Sequence, residues 1–115
     1  MARVVAYVPD LLFGSNVLGA LQAAGHDAVL APDPQSVRRE LAGAQALVVD
    51  LTADPADRIA QLSTIPYQDV KTLAFYSHVE TDVRAQAEQA GFDLVIPRSR
   101  MAREGAVLVT RLLEG

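Results

Sequence analysis

The sequence predicts an α/β domain: a three-layer sandwich around a five-stranded parallel sheet of expected strand order 2-1-3-4-5. Three observations carry this. Apolar, strand-like runs at Arg3–Val8, Asp27–Ala31, Ala46–Val49, Val70–Ser77 and Asp93–Ile96 alternate with helix-like stretches. The first run is nearly all apolar, as a parallel strand covered on both faces must be. At 115 residues, half of them hydrophobic, residues 1–115 make one domain able to bury a core without disulfide or metal.

Each element has local support. After Pro9 a helix begins, with Asp10 or Ser15 as its cap; Val17, Leu18 and Leu21 keep helical spacing and Gly25 stops it. The second strand follows. Asp33-Pro34 and Asp54-Pro55 each read as an N-cap followed by proline at the first helical position, and they start the second and third helices. The third strand lies between them and ends on Asp50. Ile65-Pro66 closes the third helix ahead of the fourth strand. The fourth helix runs over Glu80–Ala90, with Val83, Ala87 and Ala90 on one face and Gly91 at its end. After the fifth strand, Ser99 is the expected cap of the last helix. Met101, Leu108 and Leu112 form its inner face, widened by Val107 and Val109.

Composition removes several classes of function. A net charge of −4 gives no electrostatic reason to bind nucleic acid. No apolar stretch reaches bilayer length and the N-terminus lacks a signal-peptide pattern, so no membrane contact and a cytoplasmic location are expected. Without cysteine there is no thiolate nucleophile and no zinc–cysteine site. There is no glycine-rich phosphate loop or dinucleotide fingerprint, and paired His or His/carboxylate metal spacings are absent.

In an open parallel sheet, ligands and chemistry gather at the carboxyl ends of the strands. Asp10, Asp50, Ser77, His78 and Arg98 all fall there. An acid at a strand end followed by a helix is also a natural cap, and a lone edge histidine is ordinarily just solvated. No nucleophile has an activating partner, because Ser77 and His78 are neighbours that point to different sides of a strand. His26, at a helix end, needs no further role.

The runs Ala46-Leu47-Val48-Val49-Asp50, Leu73-Ala74-Phe75-Tyr76-Ser77 and Ala90-Gly91-Phe92-Asp93-Leu94-Val95-Ile96-Pro97-Arg98 resemble the receiver domain of response regulators, a flavodoxin-like fold, over almost the whole chain. The resemblance implies a bacterial two-component signalling role. Asp50 takes the phosphoacceptor position, Ser77 that of the hydroxyl after the fourth strand, and Arg98 that of the lysine after the fifth. It also implies a contact face made of Glu80–Ala90 and Asp93–Gly115, used for a protein partner or for self-association.

Three departures modify that expectation. Val8 and Pro9 stand where receivers hold magnesium with an acidic pair, and Asp10 is displaced by one residue. Val95 replaces the aromatic switch residue, and Arg98 replaces lysine in a chain with nine arginines and one lysine. Arg98 is expected to pair with Asp50 and occupy its oxygens. The expected function is therefore a stand-alone pseudo-receiver: no enzyme, no cofactor, acting by protein contact without phosphoryl transfer. Two alternatives stay open. One is a phosphorylatable receiver with Asp10 and Asp50 holding Mg²⁺ and Ser77 and Arg98 on the phosphoryl oxygens. The other is a binding module for a small anion at Arg98 and the Ser99 helix start.

Overall fold

A computed structural model describes residues 2–66, 69–77 and 80–115. The chain runs β1 (Arg3–Tyr7), α1 (Leu11–Ala23), β2 (Asp27–Ala31), α2 (Pro34–Glu40), β3 (Ala46–Asp50), α3 (Pro55–Ser63), β4 (Lys71–Tyr76), α4 (Thr81–Gln89), β5 (Leu94–Pro97) and α5 (Arg98–Glu114). All pairings are parallel, in the order β2-β1-β3-β4-β5 that the sequence predicts. The strand bounds differ from expectation by a residue at a few ends. Asp50 is the last residue of β3 and lies in register with Phe75 of β4.

Alternation along the strands divides the core in two. Val5, Tyr7, Leu47, Val49, Ala74 and Tyr76 face α2, α3 and α4 through Val37, Leu62 and Val83. Val4, Ala6, Val48, Leu73 and Phe75 face α1 and α5 through Val17, Leu21, Met101, Leu108 and Val109. Burying an aliphatic side chain of this kind stabilises by roughly 1.5–3 kcal/mol, so these two layers hold the sheet edge in place. Helix α1 therefore shares a face of the sheet with α5.

The helix ends show which local expectations hold. Asp10, not Ser15, caps α1: its Oδ1 accepts from the Leu12 and Phe13 amides at 3.0 and 3.1 Å. Asp33 caps α2 by accepting from the Ser36 amide at 2.7 Å. Asp54 does not cap α3. Its backbone is left-handed (φ 47°) where a capping side chain needs an extended one, and its side chain makes no cap bond. Ser99 does not cap α5 either. The helix follows β5 directly, with Pro97 at the cap position and no side-chain cap bond. Val107 is 52% exposed rather than part of the inner stripe, and Ala90 is exposed where α4 ends.

Candidate functional site

Asp50 is buried at the carboxyl edge of β3, with 5% of its side chain exposed. Its Oδ1 accepts two bonds from Thr52, from the amide at 2.8 Å and the hydroxyl at 2.5 Å. Arg58, one turn into α3, supplies the counter-charge. Its Nη1 donates to the Asp50 carbonyl oxygen at 2.7 Å and lies 3.6 Å from Asp50 Oδ2. Arg58 is itself 12% exposed, and its guanidinium stands 5.8 Å from the Tyr7 ring centroid. The Tyr7 hydroxyl donates to Gln61 Oε1 at 3.1 Å, which pins β1 to α3. Burial raises the Tyr7 phenol above its ordinary value, against the opposing pull of Arg58, so it remains a neutral hydroxyl at physiological pH.

The cation on Asp50 is thus Arg58 and not Arg98, which corrects the expectation from sequence. Arg98 begins α5, which packs on the same side of the sheet as α1, and there its guanidinium stacks on Phe13 at 4.3 Å from the ring centroid. Its nearest carboxylate is Asp10, at 3.9 Å, with both side chains half exposed. Phe13 in turn packs on Phe75, with centroids 5.3 Å apart. Ser77, Ser99 and Ala102 line a shallow depression with Phe13 and Arg98. His78 lies outside the described residues.

The edge therefore carries two separate groups of side chains. Asp50, Thr52, Arg58, Tyr7 and Gln61 form one; Asp10, Phe13, Ser77 and Arg98 form the other. Among the described residues no hydrogen bond or ion pair joins them. Arg58, Thr52 and Tyr7 were not singled out from sequence. The available signal was Arg58 itself, the one cation in the stretch from Leu51 to Val70, one helical turn past the Asp54-Pro55 start.

This arrangement offers little to a divalent cation. Magnesium needs several oxygen ligands in near-octahedral geometry. Val8 is 2% exposed beneath the edge, Asp10 Oδ1 is committed to the α1 cap, and a guanidinium stands beside Asp50. No group of three or more His, Asp or Glu side chains gathers among the described residues.

The strand order and the helix layers define a flavodoxin-like sandwich, the fold of receiver domains. No protein-family model and no curated protein sequence matches the chain. Solved structures do. A response regulator from Thermotoga maritima matches with a TM-score of 0.81 at 16% identity, covering 100% of this chain and 99% of that one. The receiver domain of the Francisella response regulator 1452 matches with a TM-score of 0.82 at 15% identity, covering 99% and 98%. A protein from Burkholderia thailandensis assigned to pilus assembly matches at 0.78 and 17%, covering both chains fully. At these identities the likeness is one of fold. No helix among the described residues is long and apolar enough to cross a membrane.

Proposed function

We propose that this chain is a pseudo-receiver: a signalling domain that works by protein contact and does not transfer a phosphoryl group. The observation that carries the reading is the Asp50 carboxylate, whose Oδ1 accepts both Thr52 bonds and whose Oδ2 is faced by the Arg58 guanidinium at 3.6 Å. An in-line attack on a phosphoryl donor needs a free carboxylate oxygen and cations neutralising the transferring group. Here the oxygen with two donors is a poor nucleophile, the other faces a guanidinium, and among the described residues the one cation paired with Asp50 is already bound to its backbone. In this reading the site requires neither magnesium nor any cofactor, catalyses nothing, and holds the edge in one state.

The likeness to response regulators supports a role in signal transduction, and a bacterial, cytoplasmic setting belongs to the same proposal. The contact face expected from that likeness, over residues 80–90 and 93–115, displays mainly charged and polar side chains; its exposed large apolar side chain is Val107. The apolar residues of α5 are otherwise largely spent on the core.

The test is intact-mass analysis after incubation with acetyl phosphate and Mg²⁺. The wild-type mass stays unchanged under this proposal. Addition of one phosphoryl group, abolished by Asp50→Asn, would restore the phosphorylatable reading.

A further inference from the structure

Helix α1 differs from every other helix of the molecule. From Leu11 to Gly25 the sequence contains no formal charge, whereas α2, α3, α4 and α5 each carry at least two charged residues. Its inner side is spent on the core through Gly14, Val17 and Leu21. Its outer side carries no charge in compensation, only the neutral polar side chains of Ser15, Asn16 and Gln22. Leu11 and Leu12 are 76% and 77% exposed, and Asn16, Gly19, Ala20 and Ala23 lie exposed below them. A surface helix ordinarily carries charged residues on its outer face, and α1 carries none.

From this surface we infer that α1 is the interface of a two-fold homodimer, in which α1 packs antiparallel against α1 of a second copy. Charge complementarity identifies the occupant. A partner with a charged face would lose hydration against α1 and gain no counter-charge. Among the described helices the one uncharged face is that of α1, which a second copy always presents at equal concentration. An isologous contact also requires self-complementary shape, and the outer stripe has it. Leu12 and Ala20 lie equally far from Asn16, about 6 Å along the axis in either direction. With the two-fold axis at Asn16, Leu12 of one copy rests on Ala20, beside the notch at Gly19, where an added Cβ would meet nothing within 4 Å. The two Asn16 carboxamides then face each other across the axis, each able to donate and accept. The helix dipoles run antiparallel, so opposite ends adjoin. This contact does not depend on the chemistry at Asp50.

The chain has no cysteine, so single cysteines report the contact directly. Asn16→Cys on the axis is expected to form a disulfide dimer under mild oxidation, while Arg84→Cys on α4 stays monomeric. In sedimentation velocity the wild type is expected at about twice 12.3 kDa, with a dissociation constant raised more than about 10-fold (about 1.4 kcal/mol) in Gly19→Gln. Gln is the better helix former, so loss of the dimer in that variant reflects a filled notch, not unfolding. A monomer up to several hundred micromolar overturns the inference. So does a dimer that Gly19→Gln leaves intact, or one cross-linked by Arg84→Cys and not by Asn16→Cys.

Discussion

Replacing Arg58 with methionine tests the pairing at the site most directly through stability. The substitution keeps the apolar stem and removes the guanidinium, leaving Asp50 with Thr52 as its donor. Breaking a buried ion pair by removing one partner costs about 3–5 kcal/mol, because a charge is left uncompensated. The lower end applies here. The Nη1–Oδ2 separation of 3.6 Å is a contact of charges and not a short hydrogen bond, and Oδ1 keeps both Thr52 bonds. The carbonyl of Asp50 also loses its 2.7 Å donor. A loss of about 3 kcal/mol follows, a large share of the ~5–15 kcal/mol typical of a domain. In urea unfolding the midpoint should fall by about 2 M, taking a slope near 1.5 kcal/mol/M. In the cycle with Asp50→Asn, the double variant should recover about 1–2 kcal/mol relative to the sum of the singles. A loss below ~0.5 kcal/mol, the size expected of an exposed pair, or strict additivity would refute the buried pair.

Other outcomes follow from the same structure. Thr110 Oγ1 donates to the Ala106 carbonyl at 2.9 Å, so it accepts from His26 Nε2 at 2.8 Å, which ties the end of α1 to α5. Thr110→Val should cost about 1–2 kcal/mol in urea unfolding by orphaning that N–H; an unchanged midpoint would dismiss the tie. The Asp33 carboxyl is held below its ordinary value, first by the Ser36 amide and then by its hydroxyl. Its contribution is therefore fully present above the unfolded value and is lost as pH falls through the folded one. Asp33→Ala should lower the Tm at neutral pH, and the gap to wild type should close well below pH 3.8; a gap constant with pH would contradict this. Asp54→Gly should raise stability by about 0.5–1 kcal/mol, since glycine adopts the left-handed backbone at no steric cost. Calorimetry showing a lower Tm would mean that the Asp54 side chain does something the φ of 47° does not reveal.

The fold was legible because its determinants are local and repeated: five apolar runs, Asp33-Pro34 at a helix start, glycines at Gly25 and Gly91 where φ is 92° and 93°. The site was legible in part. Position alone put Asp50, Asp10, Ser77 and Arg98 on one edge, and the structure keeps them there. Pairing was not legible, since two acids and several arginines share that edge and only the layer assignment separates them. Arg98 lies on the α1/α5 side and so meets Asp10, although β3 is nearer β5 in strand order than β1 is. Arg58 reaches Asp50 from the first turn of α3, which starts after a left-handed Asp54 that an Asp-Pro pair does not announce. The caps expected at Ser99 and Asp54 are absent because α5 follows β5 with no intervening loop and the Asp54 backbone is left-handed where a cap needs an extended one.

The central claim is that Asp50 is occupied from within. Amide NMR during titration with Mg²⁺ and then beryllium fluoride, an aspartyl-phosphate mimic, tests it most directly. The account predicts a spectrum unchanged at Asp50, Thr52 and Arg58. Saturable shifts clustering at Asp10, Asp50, Thr52, Ser77 and Arg98 would contradict it, by showing that the Arg58 pair opens and that the edge takes a phosphoryl group with magnesium.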